Sequence, residues 1–460
     1  MEFGIDAIDY YLPRIALKIS SLAEKRNIIP AKLEKGLGLQ YMALTDCNED
    51  TASMAANALL NLIKNNNVDP KTIGRIYLGT ESALDAAKPT ATYAVGAVEK
   101  IISSKFGDRC FKNCDVVDLT FACIGAVDAL ENCLDWVKAS PERKAIVIAS
   151  DLAKYDLESS GEYTQGAGSV AMLVTSNPSI VAFKNTIGIS MEHVSDFFKP
   201  RRKIDNTYLK QKNISVQELT NTNKEKIEFY FEEPVFDGQY SNECYQKRIA
   251  EALNHFKAQK NINFLKDWQH MIFHLPYAFQ GRRMMLDIWL EWIKDEDIFV
   301  DLEKEIGKSE SGDYKDWRKA ASKSTLYKRF VQNKIQDGEM ASSFIGNMYT
   351  ASIFMSLISL LYSAYDKKRS ISGDNIGFLS YGSGSKSKIL QAKIIPKWEK
   401  KISHLKILEN INSRKIIDFE TYEKLHNGAL NNPIYNHNNI VLDSIDQREN
   451  KTGFRHYIKN

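Results

Sequence analysis

Short β-branched runs that alternate with helical stretches predict an α/β fold built on a largely parallel or mixed sheet. Two further observations support it. With 460 residues and 43% apolar composition, the chain can bury the core that two domains or one duplicated α/β unit require. Three residues capable of chemistry, Glu81, Cys123 and His274, also stand where strands end, which is where ligands gather in open α/β sheets.

Strands are predicted over residues 75–78, 116–119, 145–149, 171–174, 271–273 and 376–379. Between them, residues 51–64 (TASMAANALLNLIK), 125–137 and 242–256 carry the apolar face and polar entry residues of helices. Residues 351–362 (ASIFMSLISLLY) are too few to span a bilayer and predict a buried core helix. The longer run GNMYTASIFMSLISLL sets small residues beside large apolar ones, as close packing of a helix on a sheet demands. A boundary near Asn177-Pro178 divides the chain into residues 1–177, with Glu81 and Cys123, and residues 178–460, with His274. Two charged, poorly periodic stretches, 199–226 and 295–327, are expected to be surface excursions; a functional lid is the alternative for the second.

Lys and Arg total 61 against 58 Asp and Glu, a net charge of +3, with both signs interspersed. No strong field points to nucleic acid or an anionic membrane, so the expected partner is a small molecule, and a modest basic excess suits one that carries phosphates. The six cysteines form no paired CxxC framework, and Cys110 and Cys114 lack the histidine pair of a zinc site. That usage fits a reducing cytoplasm. Glu2 and Asp6 stand where a signal peptide needs basic residues, so no export signal is expected.

Cys123 follows VVDLTFA and precedes a helix opening near Ile124-Gly125, so its sulfur is expected near unpaired amides at the positive end of the helix dipole. Such a placement lowers a thiol pKa and favours the thiolate nucleophile; a buried cysteine acting as a small hydrophobe is the bland alternative. Glu81 follows Gly79-Thr80, where partial desolvation raises a carboxyl pKa toward neutrality. Taken alone, a glutamate in such a loop is usually solvated or caps the next helix. His274 lies between Phe273 and Leu275, with Pro276 after it, and is either a satisfied core group or a pocket-facing imidazole. The sequence Gly166-Ala-Gly168-Ser-Val-Ala171 matches GxGxxA, but an apolar strand follows where a dinucleotide site needs a helix. Residues 381–385 predict a tight turn whose backbone amides approach a substrate oxygen, or a plain flexible turn.

Together, EKGLGLQYMA, EDTASMAANA, YLGTESALD, TFACIGAVDAL, IASDLAKYDLESSGEYTQGAGSVAML, SDFFKP, FDGQYSNECY, FHLPYAF, GNMYTAS and LSYGSGS resemble the 3-hydroxy-3-methylglutaryl-coenzyme A synthase family of the thiolase superfamily. The similarity runs through nearly the whole chain. It implies a duplicated five-layer αβαβα fold with mixed sheets and a homodimer. It implies acetyl transfer from acetyl-CoA to Cys123, attack of the acetyl methyl carbon on acetoacetyl-CoA, and hydrolysis to HMG-CoA for the mevalonate pathway. CoA thioesters are then substrates, and neither cofactor nor metal is expected. Glu81 matches the general base, His274 the group that polarises the acetoacetyl carbonyl, and Asn347 stands beside it. Tyr155, Thr164 and Ser383 match substrate contacts, and Asp151 and Asp196 match acidic positions behind them.

One departure stands out. Phe279 occupies the position, five residues after the catalytic histidine, where family members usually carry a lysine, which leaves Arg282 and Arg283 to meet the CoA phosphates by charge and reach. The nearest rival is a polyketide β-branching relative that takes acyl groups from an acyl carrier protein. A ketosynthase is disfavoured by Glu81 in GTES, and a non-catalytic scaffold by the joint presence of Cys123, Glu81 and His274.

Overall fold

The computed structural model describes residues 1–212, 226–309, 313–436 and 438–460. Nine strands form its central sheet: β1 (Phe3–Tyr11), β2 (Ile73–Gly79), β3 (Asp115–Leu119), β4 (Lys144–Ala153), β5 (Gly166–Ser176), β6 (Val181–Met191), β7 (His270–Phe273), β8 (Asn375–Gly382) and β9 (Lys386–Ile394). Their spatial order is β7-β8-β9-β6-β1-β5-β4-β2-β3. The β1–β6 junction is narrow, pairing only Gly4 with Ala182 and Ile5 with Val181. On either side of this seam the pattern repeats. β1-β5-β4-β2 is joined antiparallel, antiparallel, then parallel, and β6-β9-β8-β7 is joined in the same way.

Six helices cover these sheets: α1 (Thr51–Asn65), α2 (Thr90–Phe106), α3 (Gly125–Lys138), α4 (Gly238–Gln259), α5 (Gln280–Ile293) and α6 (Ser352–Asp366). Because strand side chains alternate between faces, neighbours in β4 part company. Ile146 and Ile148 pack with α1 and α2 in one core, whereas Ala145, Val147 and Ala149 pack with α3 and α6 in the next. The far side of that second core is closed by Phe183, Ile376, Phe378, Leu390 and Ala392 of the other sheet. Met271, Phe273, Leu379 and Ile389 face outward into a third core with α4 and α5. The result is helix, sheet, helix, sheet, helix: the duplicated five-layer αβαβα arrangement that the resemblance implies.

Helix α6 explains its own composition. It lies between two sheets, so Ile353, Phe354, Met355, Leu357, Ile358, Leu360 and Leu361 are all buried. Its serines at spacings of three and four residues form a polar stripe that is fully engaged. Ser356 donates to the Gly338 carbonyl (2.9 Å), Ser359 to the Asp337 carbonyl (2.7 Å) and Ser363 to the Asp337 carboxylate (2.7 Å). Helix α1 begins with a capping box in which Asp50 and Ser53 bond each other's backbone.

All six predicted strands are present and longer than expected. β1, β6 and β9 were not anticipated; their mixed sequences, such as VAFKNTIGISM, lack the clean apolar runs that marked the others. Residues 166–171 lie in β5 and not in a phosphate loop, as the apolar run after them indicated.

The charged stretches are largely exposed, with inward anchors that their composition did not show. In the first, residues 213–225 lie outside the described residues, Arg202–Asp205 pairs with Lys226–Phe229 as a hairpin, and Lys199 is no surface residue. In the second, residues 310–312 lie outside the described residues, while Leu302, Trp317, Ala321 and Tyr327 dock into the α4–α5 core. Arg318 also forks onto Asp287 of α5. None of its described residues lines the cavities at the strand ends. Among the described residues, no helix is long and apolar enough to cross a membrane.

Candidate active site

β2 ends at Gly79 because helix α3 passes so close that a Cβ there would lie 2.1 Å from the Ala126 nitrogen. The chain then turns through Thr80 and Glu81, and Asp151, fully buried near the end of β4, fixes that turn. Asp151 Oδ1 accepts from the Thr80 hydroxyl (2.8 Å) and the Glu81 amide (3.0 Å), while Oδ2 accepts from the Thr350 amide (3.2 Å). One carboxylate thereby joins turns from both sides of the seam. Burial, then the nearby Glu81, pushes the Asp151 carboxyl up to about 7.

Cys123 sits in the turn between β3 and α3, after Ala122 in the left-handed region (φ 37°). A non-glycine residue there costs about 1–3 kcal/mol, which the surrounding packing must offset. The thiol donates to Glu81 Oε2 at 3.3 Å. Around it close Ala153, Tyr155, Phe197 and Tyr349, with Phe236 at the edge.

The expected lowering of the thiol pKa by the helix end is not what the environment produces. Burial first, then the Glu81 carboxylate, pushes the Cys123 thiol well up. Part of the reason is local: the Ala126 amide in the first turn of α3 already donates to the Thr350 hydroxyl (2.8 Å). At rest Cys123 is a thiol held on the Glu81 carboxyl. Glu81 itself is raised as expected, by burial, against the lowering influence of Lys199 and the Cys123 hydrogen bond.

His274 enters from the other sheet, one residue past β7. Its amide donates to the Leu379 carbonyl (3.2 Å), and its carbonyl accepts from the Tyr245 hydroxyl (2.6 Å). Nδ1 lies 2.6 Å from the Ser352 hydroxyl at the start of α6. Burial lowers the ring to about 3, so the imidazole is neutral across the physiological range. Asn347 Oδ1 accepts from the Tyr349 amide (2.8 Å), which shapes the loop that brings Tyr349 against Tyr155.

A cavity of about 840 Å³ unites Cys123, Tyr155, Thr164, His274, Arg283, Asn347 and Ser383. A second, of about 710 Å³, reaches Glu81 from the other side and includes Phe121, Lys199 and Arg201; Phe197 and Ser383 line both. The predicted turn at 381–385 is the β8–β9 connection, held from below by buried Asp196. That carboxylate accepts from the Tyr381 hydroxyl (2.8 Å), the Ser241 hydroxyl (3.0 Å) and the Gly384 amide (2.8 Å). The Ser385 amide is engaged by the Glu192 carbonyl. Of the turn's amides, those of Gly384 and Ser385 therefore point inward, not toward a substrate.

Two nominated residues part ways. Arg283 lines the larger cavity. Arg282 does not: its guanidinium forks onto the buried Glu339 carboxylate, with Nε at 2.9 Å, and stacks over Phe279 at 3.9 Å. Phe279 in turn packs on Gly38, where a Cβ would approach its ring to 2.6 Å.

Sequence reasoning missed Lys199. Its ammonium lies 3.4 Å from Glu81 Oε1 and 4.9 Å from the Tyr349 ring centroid. The signal was present in SDFFKP, whose lysine follows two aromatic residues, but the charged stretch beyond it made the segment read as surface. Among the described residues, no group of three His, Cys, Asp or Glu is placed to hold a metal ion.

Comparison with known proteins shows the family. Models described as hydroxymethylglutaryl-coenzyme A synthase N terminal and C terminal match residues 1–179 and 224–452. The hydroxymethylglutaryl-CoA synthase of Haloferax volcanii is 29% identical over 97% of this chain and 95% of its own. The enzyme of that name from Gibberella zeae is 30% identical over 92% and 89%. Among solved structures, MvaS in complex with 3-hydroxy-3-methylglutaryl coenzyme A superposes with a TM-score of 0.77 at 26% identity, covering 100% of this chain and 99% of that one. The curacin biosynthetic pathway HMG synthase in complex with acetyl donor-ACP has a TM-score of 0.78 at 19% identity, with both chains fully covered, a likeness of fold alone.

Proposed function

This chain belongs to the hydroxymethylglutaryl-coenzyme A synthase family of acyl-transferring condensing enzymes, and we propose that it joins acetyl-CoA to acetoacetyl-CoA, releasing HMG-CoA and CoA. The observation that carries the reading is the buried pair of Cys123 and Glu81, 3.3 Å apart, beside a cavity that also holds a neutral His274.

The residues divide the chemistry as follows. Cys123 Sγ attacks the acetyl carbonyl and yields its proton to Glu81 as the thiol becomes nucleophilic; the C–S bond to CoA breaks, and CoA leaves with a proton. The thioester carbonyl acidifies its methyl group, and Glu81, once deprotonated, removes a methyl proton. The carbanion attacks the ketone carbon of acetoacetyl-CoA, whose oxygen takes on charge beside His274 and Asn347 and receives the proton that Glu81 took from the methyl group. Water cleaves the Cys123 thioester, leaving a carboxylate on the product, one proton on sulfur and a second that passes to solvent. Tyr155, Phe197 and Tyr349 keep the sulfur dry until that last step, which strengthens every charge interaction near it.

Arg283 is the cavity-lining cation suited to meet CoA phosphates, and Phe279 takes no part in that contact. Residues 1–177 and 178–460 serve as the two halves, and the working form is a cytoplasmic homodimer feeding the mevalonate pathway. A second reading rests on Phe279, which packs on Gly38 and brings no charge at the position where family members usually carry a lysine. Under it, acyl groups arrive on a carrier protein for polyketide β-branching.

The test is intact-protein mass after brief incubation with acetyl-CoA, for wild type and Cys123→Ser, followed by acetoacetyl-CoA and assay of released product. A single 42 Da acetyl adduct that requires Cys123 and discharges as HMG-CoA is expected, at about the mass of one acetyl group replacing a proton. An adduct formed only from an acetylated carrier protein selects the second reading, and no adduct from either donor sinks both.

A further inference from the structure

The geometry points to Lys199 as the residue that positions Glu81 for proton abstraction: its ammonium faces Glu81 Oε1 at 3.4 Å, while the Cys123 thiol faces Oε2 at 3.3 Å. The inference rests on the reading of Glu81 as base. Each oxygen of one buried carboxylate thus has its own partner, one a lysine side chain and one a thiol that departs as acylation proceeds. Once Cys123 carries an acetyl group, its thiol no longer donates to Oε2, and Lys199 remains to hold the carboxylate in place with that oxygen open to the methyl group.

Lys199 is itself fixed. Its side chain is 13% exposed, its charge lies over the face of Tyr349, and three residues earlier Asp196 pins the segment to the Tyr381 and Gly384 turn. A lysine on the surface would choose among many rotamers; this one is ion-paired with Glu81.

The charged surroundings explain why a cation is needed. Glu81 faces the Cys123 thiol, the buried Asp151 carboxyl, and the Tyr155 and Tyr349 hydroxyls. The adjoining cavity adds Asp85, Glu228 and Arg201 at its lining. Burial favours a protonated Glu81, which cannot accept a proton from a thioester methyl; of these groups, Lys199 is the ion-paired cation that opposes it.

The test follows exchange of the acetyl-enzyme methyl group in deuterated buffer as a function of pH, with acetylation of Cys123 scored separately by mass. Lys199→Met is expected to acetylate but to show its acid limb displaced to higher pH by about 1–3 units. At a pH below the wild-type limb that is a loss of exchange of roughly 10–1,000-fold, recovered as the pH is raised. Lys199→Gln, whose polar tip disturbs packing less, should show the same displacement, and Lys199→Arg should restore the wild-type limb. A uniformly slower profile with its acid limb unmoved in both neutral variants overturns the inference. Absence of exchange in acetylated wild type overturns instead the role of Glu81 on which it stands.

Discussion

After β2 the chain turns at Thr80–Glu81; after β7, the strand in the matching place of the other sheet, it turns at His274–Leu275. Cys123 stands ahead of α3, and Asn347 ahead of α6, the two helices that share the central layer. The first pair consists of groups that take or lose protons, hydrogen-bonded to each other, raised in pKa by burial and answered by a lysine. The second pair stays neutral: His274 is lowered by burial and braced by Ser352, and Asn347 folds its carbonyl onto its own loop. The difference teaches that a repeated framework delivers two sets of strand ends to one place, and that placing proton-transfer groups on one and neutral polar groups on the other avoids crowding like charges in a dry site.

The sharpest way to break this comparison is to remove the proton acceptor. Glu81→Gln should lower turnover by about 10²–10⁴-fold and abolish methyl exchange, and acetyl-Cys123, scored by mass, should form more slowly but still accumulate, because the thiol loses its proton acceptor. Equal loss of acetylation would show that Glu81 serves the thiol more than the methyl group.

His274→Asn should leave acetylation and exchange near wild type and lower kcat/KM for acetoacetyl-CoA by about 10²–10³-fold, as expected for one lost donor to a developing oxyanion. Loss of exchange in that variant would dissolve the division between the two sides.

The same histidine sets a pH dependence of stability. Its folded pKa of about 3 lies below the unfolded value of about 6.5, so between those values the unfolded chain binds the extra proton. Stability therefore falls as pH drops through that window. At pH 4.5 the contribution is on the order of 2 kcal/mol, and urea midpoints at pH 4.5 and 7.5 should converge by that amount in His274→Asn relative to wild type.

The smallest effect separates two neighbours on α5. Arg283→Ala should raise KM for the CoA thioester by roughly 3–10-fold with kcat little changed. Arg282→Ala should leave KM alone and lower the melting temperature, because it strands the buried Glu339 carboxylate.

Much of the site was legible before any coordinates. Cys123, Glu81 and His274 announced themselves because each follows an apolar run and precedes a turn or helix, a pattern local enough to read. Lys199 was hidden because its meaning depends on Glu81, 118 positions earlier in the chain by the difference of their numbers. The two arginines looked alike because adjacent residues on a helix point about 100° apart, and only packing says which way is the cavity. The pKa of Cys123 was misjudged for a related reason: the helix end was visible, but not the Thr350 hydroxyl that engages its Ala126 amide or the depth of burial.

The sequence by itself determined the alternation of strands and helices, the buried character of α6, the strand-end placement of the three reactive residues and, through motifs along its length, the family. Those are short-range properties, set by periodicity and by residues adjacent in the chain. The tertiary structure alone decided which groups share a carboxylate, which cation answers it, which arginine is free and which amides point inward. Electrostatic and hydrogen-bond partners are fixed by distances of a few ångströms between segments far apart in sequence, and those distances exist only once two sheets and three helical layers have packed.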